Sequence, residues 1–403
     1  MWRLLARGRF RWFWAGQSLS MAGDRVQTIA LAWLVLGLGA SPLVLGSVLL
    51  AKALTQALML PFAGVLTDRV PPRLVVLAAD GTRALLMAAL LLVATSGARQ
   101  LWPLYAIEIL VGAADAFFVP AMAAVLPSVA QDEALAVANA LLVTSEQVTM
   151  TAGPAAGGVL VAALGAAGAF GANACSFVFG AIGALALPRT VFAASPSSAE
   201  ERSFTRQIAA GLAEARGMPA LGGVLVLLVS SSLAFNGGFG LGLPALAHAG
   251  LGHSALTLGL LLAANGAGQL VGTLGAGMLG LPKRLGWLMI WHAVAAGAMF
   301  AVLALSGNVA VDCTVLFAGG VVGAYADDVA IPTWLQRNAK PGALGRLGSL
   351  VEIARVYPEP IALAAFGALA NWSLPAAFLA SAAVMGITAV VLGTSAAMRR
   401  LSP

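Results

Sequence analysis

Apolar runs recur along the whole chain, each closed by glycine, proline or a charged cluster. A helix that crosses a bilayer needs about 20 apolar residues. On that measure the pattern predicts spans 1 to 6 at 12–37, 44–67, 74–96, 102–126, 140–163 and 166–188. Spans 7 to 12 follow at 219–243, 255–280, 286–306, 310–333, 347–369 and 373–397. Between the two sets lies Arg189 to Gly217, which contains SPSSAEERSF and four arginines and is the only linker of any length. The prediction is an all-α membrane protein of twelve transmembrane helices in two six-helix bundles, 1–188 and 218–403, joined by a linker at 189–217.

Composition narrows the alternatives. Of the 403 residues, 60% are hydrophobic and 9% charged, whereas an ordinary soluble domain carries roughly 25% charged. Twelve spans use most of the chain and leave no room for a separate soluble domain. The net charge of +6 would suggest nucleic acid if the basic residues formed one patch. Here the arginines fall singly or in pairs between apolar runs, so no nucleic-acid partner is expected. Cys175 and Cys313 sit inside apolar stretches and supply neither a disulfide framework nor a zinc site.

Lysine and arginine collect on the cytoplasmic side of membrane proteins. The tails, the even-numbered loops and the linker hold 17 of the 22, and the outer loops hold only Arg99. Arg25, Lys52, Arg83 and Arg355 fall within spans. Both termini and the linker are therefore expected in the cytoplasm. Met1 to Arg11, with Arg3, Arg7, Arg9 and Arg11 but no short apolar core and cleavage site, reads as a cytoplasmic tail rather than a signal peptide.

The two sets of spans also repeat one another. A shift of 213 lays GSVLLAKALTQALMLPFAG, from Gly46, on GLLLAANGAGQLVGTLGAG, from Gly259, and puts Asn265 opposite Lys52. A shift of 212 puts Asp327 on Asp115 and Pro332 on Pro120. A parallel repeat of six helices about an axis along the membrane normal resembles the major facilitator fold.

Three motifs extend that resemblance. GVLTDRVPPR, Gly64 to Arg73, resembles the loop between helices 2 and 3 of the major facilitator superfamily. There the aspartate holds the cytoplasmic ends of the halves together near the N-terminus of span 11, where a helix dipole favours an anion. The resemblance implies a gate built on Gly64, Asp68, Arg69 and Arg73, with a plain topology anchor as the alternative. The family's second arginine is missing, since Pro71 and Pro72 precede Arg73. In span 5, AGPAAGG resembles the drug–proton antiporter signature, with Gly153, Pro154, Gly157 and Gly158. Such glycines let another helix approach closely, and span 8 offers a matching face in Gly268, Gly272 and Gly275; ordinary small-residue packing is the alternative. In span 1 the pattern WxGQxxSxxGD, Trp14 to Asp24, resembles the branch of enterobactin exporters and macrolide efflux proteins, as does EILVGAADAFFVPA from Glu108 in span 4.

Ionisable residues at membrane depth mark a pathway by default, because a charge at the bilayer centre costs at least about 2.5 kcal/mol. Asp24, Lys52 and Asp115 lie near the midplane, Arg25 adjoins Asp24, and Glu108 joins them from span 4. An Asp24 or Asp115 pairing alternately with Lys52 or Arg25 would load and release a proton; a permanent salt bridge is the alternative. In span 11, Glu352, Arg355 and Glu359 share one stripe, and Pro358 and Pro360 bracket Glu359 and predict a broken helix. Asp80 and Arg83, at i, i+3, read as a structural pair. Asp327, Asp328 and Glu146 read as gate or helix-end residues.

Other signals are decoys. The G-x-G-x-x-G at Gly275 to Gly280 lies inside a span rather than in a strand-to-helix turn. His292 lacks a second ligand at metal spacing, and no H-E-x-x-H, G-x-S-x-G or Walker A run occurs. No cofactor, metal or enzymatic activity is expected. The resemblance implies a monomeric secondary transporter of the bacterial inner membrane that exports a small molecule, a drug, antibiotic, siderophore or other secondary metabolite, in exchange for protons. Uptake by symport on the same fold is the first alternative, and a non-transporting receptor, scaffold or intramembrane enzyme the second.

Overall fold

The computed structural model describes residues 8–67, 69–97, 99–129, 133–187, 217–249, 254–339 and 344–402, together with Glu214. Every regular element among them is helical. Spans 1 to 4 form Gly8–Gly37, Pro42–Thr67, Pro72–Thr95 and Trp102–Val129. Pro72 begins span 3 at the first helical position, where its missing N–H costs nothing. Spans 5 and 6 run on as Glu133–Leu185, which changes direction at Gly165. The backbone there has φ 70° and ψ 175°, a region that is open essentially to glycine alone.

In the second half, span 7 comprises Pro219–Gly237, a π turn at Gly238–Gly242 and Leu243–Ala249. Spans 8 and 9 are Ala255–Leu279 and Leu285–Leu305. Span 10 runs through Val309–Gly323, a π turn at Ala324–Ala330 and Ile331–Asn338. Span 11 is divided into Leu344–Val356 and Glu359–Trp372, span 12 is Leu374–Thr394, and a short helix Ala396–Arg399 follows. Ser254, Asn308 and Ser373 cap spans 8, 10 and 12 by accepting from backbone N–H groups of the first turn, each such cap being worth about 1 kcal/mol.

Among the described residues, nine helical stretches are long and apolar enough to cross a membrane. The difference from twelve has three local causes. Asp24, Arg25 and Gln27 lower the hydropathy of span 1. Spans 5 and 6 merge into one stretch, Ala152–Leu185. The halves of span 11, 13 and 14 residues long, are each too short alone.

The chain divides into two compact units, Met1–Ala40 with Ser47–Pro196, and Ser41–Gly46 with Ser197–Pro403. The expected linker at 189–217 lies almost wholly outside the described residues. In the first unit, span 1 lies along the Glu133–Leu185 rod and span 3 packs on span 6 and span 4. Glycines set the spacing: a Cβ on Gly16 would stand 2.6 Å from the Phe179 carbonyl, and one on Gly183 2.7 Å from that of Trp12. One end of this unit is filled by Phe10, Phe13, Val76, Val125 and Leu141. In the second unit, span 8 packs on span 10, span 9 on span 12, and span 7 on spans 11 and 12. Its centre is a run of rings, Phe235 on Phe300 at 5.1 Å and Phe366 on Phe378 at 5.4 Å, within the range where aromatic pairs attract. Trp12, Trp102 and Trp372 are exposed near span ends, as expected of residues at a membrane–water interface.

Candidate functional site

In the first unit the charged residues are organised by Arg83. Span 3 presents Asp80 and Arg83 on one face, one turn apart. The Arg83 side chain is 2% exposed, and its Nη2 donates to Asp80 Oδ1 at 2.6 Å. Its Nη1 reaches Asp115 Oδ1 at 3.4 Å and lies 3.8 Å from Asp24 Oδ2. The guanidinium carbon sits 3.9 Å from the centre of the Phe118 ring and 4.6 Å from that of Phe177. A planar cation that forks between carboxylates and stacks on rings is a task for arginine rather than lysine.

Two further contacts widen the cluster. Lys52 Nζ stands 3.1 Å from Asp115 Oδ2, and Gln17 donates to Asp80 Oδ2 at 3.1 Å. Spans 1, 2, 3, 4 and 6 therefore meet at one polar centre inside an apolar bundle. Exposure rises outward from it: Asp80 is fully buried, Asp115 17% exposed, Lys52 25% and Asp24 37%. Asp24 is thus the carboxylate most open to an arriving ion.

The structure brings together Asp24, Lys52 and Asp115, with partners that differ from the sequence expectation. Asp115 pairs with Lys52, but the cation beside Asp24 is Arg83, and the Asp80–Arg83 pair is the hub of the cluster rather than an isolated strut. The Arg25 side chain lies across Gly153, where a Cβ would stand 2.8 Å from Arg25 Cβ. Glu108 is fully buried. Its Oε1 accepts from Gln27 at 3.0 Å, and Asn173 donates to Gln27 at 3.4 Å, tying spans 1, 4 and 6.

The glycine motifs also serve neighbours other than those expected. A Cβ on Gly157 would stand 3.2 Å from Val26 Cα, so Gly153 and Gly157 admit span 1 of their own half. Gly158 is buried beside them, and the helix continues through Pro154. Gly268 and Gly272 lie against the backbone carbonyls of Phe317 and Val321 on span 10, while a Cβ on Gly275 would meet nothing within 4 Å among the described residues. Gly153, Gly157, Gly268 and Gly272 thus each serve a close approach within their own half. In the loop motif, Gly64 belongs to the last turns of span 2 and Arg69 is exposed. Arg73 donates to the Ala184 and Leu185 carbonyls at 3.2 and 2.9 Å, a cation on the C-terminus of span 6. Asp68, the proposed gate, lies outside the described residues.

The second unit holds a cluster that the sequence reading missed. His292 is buried on span 9, and its Nε2 lies 3.2 Å from Asp327 Oδ2. Arg355 donates through Nη2 to the Asp327 carbonyl and has Nη1 3.7 Å from Asp328 Oδ1. Both aspartates lie in the π turn of span 10. Ser232 of span 7 donates to the Arg355 carbonyl at 2.7 Å. The helix of span 11 breaks at Tyr357–Pro358, so Arg355 ends one segment and Glu359 begins the next; Glu352 is exposed. The signal available was the repeat, since a shift of 212 carries Asp80 onto His292 as it carries Asp115 onto Asp327.

A family model described as Transmembrane secretion effector matches residues 1–340. The enterobactin exporter EntS of Salmonella typhi is 30% identical over 339 residues, 82% of this chain and 77% of its own. The MFS-type transporter YfiS of Bacillus subtilis strain 168 is 26% identical over 401 residues, 94% of this chain and 90% of its own. Among solved structures, the nucleoside transporter NupG superposes with a TM-score of 0.74 at 11% identity, covering 96% of this chain and 98% of its own. A bacterial homologue of the iron transporter ferroportin, inward-facing, gives 0.69 at 18%, covering 96% and 99%. At those identities the two structures speak for the fold alone. These relatives are transporters rather than enzymes, and the apolar helices make the chain a multi-pass inner-membrane protein with a small-molecule substrate. The chain belongs to the Transmembrane secretion effector family, in the enterobactin-exporter branch of the major facilitator superfamily.

Proposed function

We propose that this secondary transporter expels a small molecule in exchange for protons, by alternating access of two six-helix halves, 1–188 and 218–403, about a cytoplasmic linker at 189–217. The observation that carries the reading is the graded cluster around Arg83, with Asp24 as its open edge. Asp24, Asp80, Glu108 and Asp115 face Arg25, Lys52 and Arg83 within one half, so full ionisation leaves one negative charge in excess. One bound proton, or one cationic group of a substrate, removes that charge from a low-dielectric site where charge is costly. Proton and substrate thus compete for the same carboxylate, which is the logic of an antiporter.

The likeness to enterobactin exporters supports export, with a siderophore or another secondary metabolite, antibiotic or drug as cargo. The excess of acids over bases within the spans favours a substrate that carries a cationic group. The distribution of arginine and lysine supports cytoplasmic termini. The test is transport into everted vesicles, acid inside, with radiolabelled siderophores and fluorescent cationic drugs as probes. Accumulation that collapses with a protonophore supports the reading; loss of preloaded probe under the same gradient identifies the uptake symporter instead.

A further inference from the structure

The first half's cluster is used by the proposed exchange, but the buried imidazole of the second half is not. His292 is almost wholly buried on span 9, and its ring stacks on Phe235 with centres 6.3 Å apart and 18° between planes. Among the described residues neither ring nitrogen has a well-aligned hydrogen-bond partner, nor has the buried Oδ1 of Asp327, although Nε2 and Oδ2 are 3.2 Å apart. Unsatisfied polar atoms are expensive in a bundle interior, and buried ones in a native fold ask for an explanation.

The π turn explains how it is held. At Ala324–Ala330 the backbone widens by one residue per turn, with the Ile331 N–H bonded to the carbonyl of Ala326, five residues back. Turns of this kind concentrate at functional sites. Here it brings Asp327 to the ring and frees its carbonyl for Arg355.

We infer that His292 and Asp327 form a second proton-holding site, in the C-terminal half, with Arg355 and Asp328 as its fixed counter-charges. The imidazole lone pair takes one proton from water and returns it, and no other bond changes. With the proton on, His292 and Arg355 balance Asp327 and Asp328; with it off, one negative charge is left over. Among the described residues the surroundings offer no competing partner. Spans 9 and 12 carry no other charged residue, span 7 carries only His248, and the short helix 396–399 packs on the first turn of span 9 at Gly286, which puts Arg399 at the near end of that span, about two turns before His292. On span 10, Asp327 and Asp328 are the titratable groups facing the ring.

This inference deepens the proton-coupled reading, and its test is separate from that of coupling. The full-length chain, labelled with ¹⁵N in its histidine rings, is placed in lipid nanodiscs and followed by NMR from about pH 5 to about 8, the window in which histidine switches. His248→Gln and His253→Gln, both outside the pair, identify the remaining signal as His292. The expected result is a reversible change between doubly and singly protonated rings. In Asp327→Asn the proton concentration at half-titration changes by at least about tenfold, and Asp327→Glu restores it in part. A His292 signal that stays in one protonation state across the window, or a transition indifferent to Asp327→Asn, overturns the site. A titrating pair in a protein that ignores a pH gradient removes the coupling and leaves the site; a gradient-driven transporter with an inert His292 does the reverse.

Discussion

Lys52 on span 2 and Asn265 on span 8 occupy one place in the repeat, and each fastens its span to the fourth span of its own half. Lys52 does so through Asp115 at 3.1 Å, and Asn265 through the Leu316 carbonyl at 3.2 Å. Beside each, a glycine lets the backbones touch: Gly112 faces the Lys52 carbonyl and Gly320 that of Asn265. One device is ionic and the other neutral, so they should fail differently. Lys52→Met is expected to lower stability by roughly 1.5–3 kcal/mol, the range for hydrogen bonds to charged groups, and Asn265→Ala by about 1 kcal/mol. Thermal unfolding in detergent at two salt concentrations measures both, and only the first loss should shrink with salt.

Arg83 should be the least replaceable charge in the first half. Removing one partner of a buried ion pair costs about 3–5 kcal/mol because it strands the other. Arg83→Lys keeps the charge but loses the fork and the stacking between Phe118 and Phe177. We expect both Arg83→Gln and Arg83→Lys to fall by more than Asp24→Asn in the same unfolding assay. Equal melting temperatures for Arg83→Lys and the parent would refute the hub.

Asp24→Asn should separate folding from coupling. Its side chain is the most open of the cluster, and Arg83 keeps Asp80 and Asp115 without it. The expected outcome is a normally folded protein that no longer moves substrate uphill in liposomes under a pH gradient, although downhill exchange persists. Uphill transport at the parent rate would remove Asp24 from the coupling step.

Glycines of one helix should give opposite results according to what they face. Gly268 and Gly272 meet the span 10 backbone, whereas Gly275 has open space around it. Gly268→Leu should cost about 1–3 kcal/mol by overpacking. Gly275→Ala should be neutral or stabilising by up to about 1 kcal/mol, since alanine is the better helix former. Differential scanning fluorimetry of the three proteins decides it.

Much of this was legible in the sequence, for reasons that are local. The spans announce themselves by apolar length, and Asp24, Lys52 and Asp115 by being charged at membrane depth. The repeat offset of 212 to 213 tied the two halves together before any contact was known. What escaped depends on which neighbour a helix turns toward. The i, i+3 spacing of Asp80 and Arg83 hid the longer reach of Arg83 to Asp115, 32 residues away. The glycines of spans 5 and 8 declared that something comes close without saying what, and the answer was spans 1 and 10. His292 has no ligand at metal spacing along the chain, and its partner lies 35 residues on in a turn whose wider pitch no propensity encodes.

That turn has a further consequence for how the chain tolerates changes in length. A π turn is an α-helix with one residue too many, and an α-helix rotates by about 100° per residue. Deleting Ala326 would take out the extra residue, so span 10 would relax into unbroken α-helix with its two flanks in nearly the same register, and the loss would fall on the turn itself. Asp327 would lose the widened backbone that presents it to His292 and Arg355, with no charged residue removed and hydropathy almost unaltered. A single-codon deletion inside the turn should therefore spare the fold and strike the paired charges, whereas the same deletion at Leu316, in unbroken helix, would swing the flanks by about 100° relative to each other.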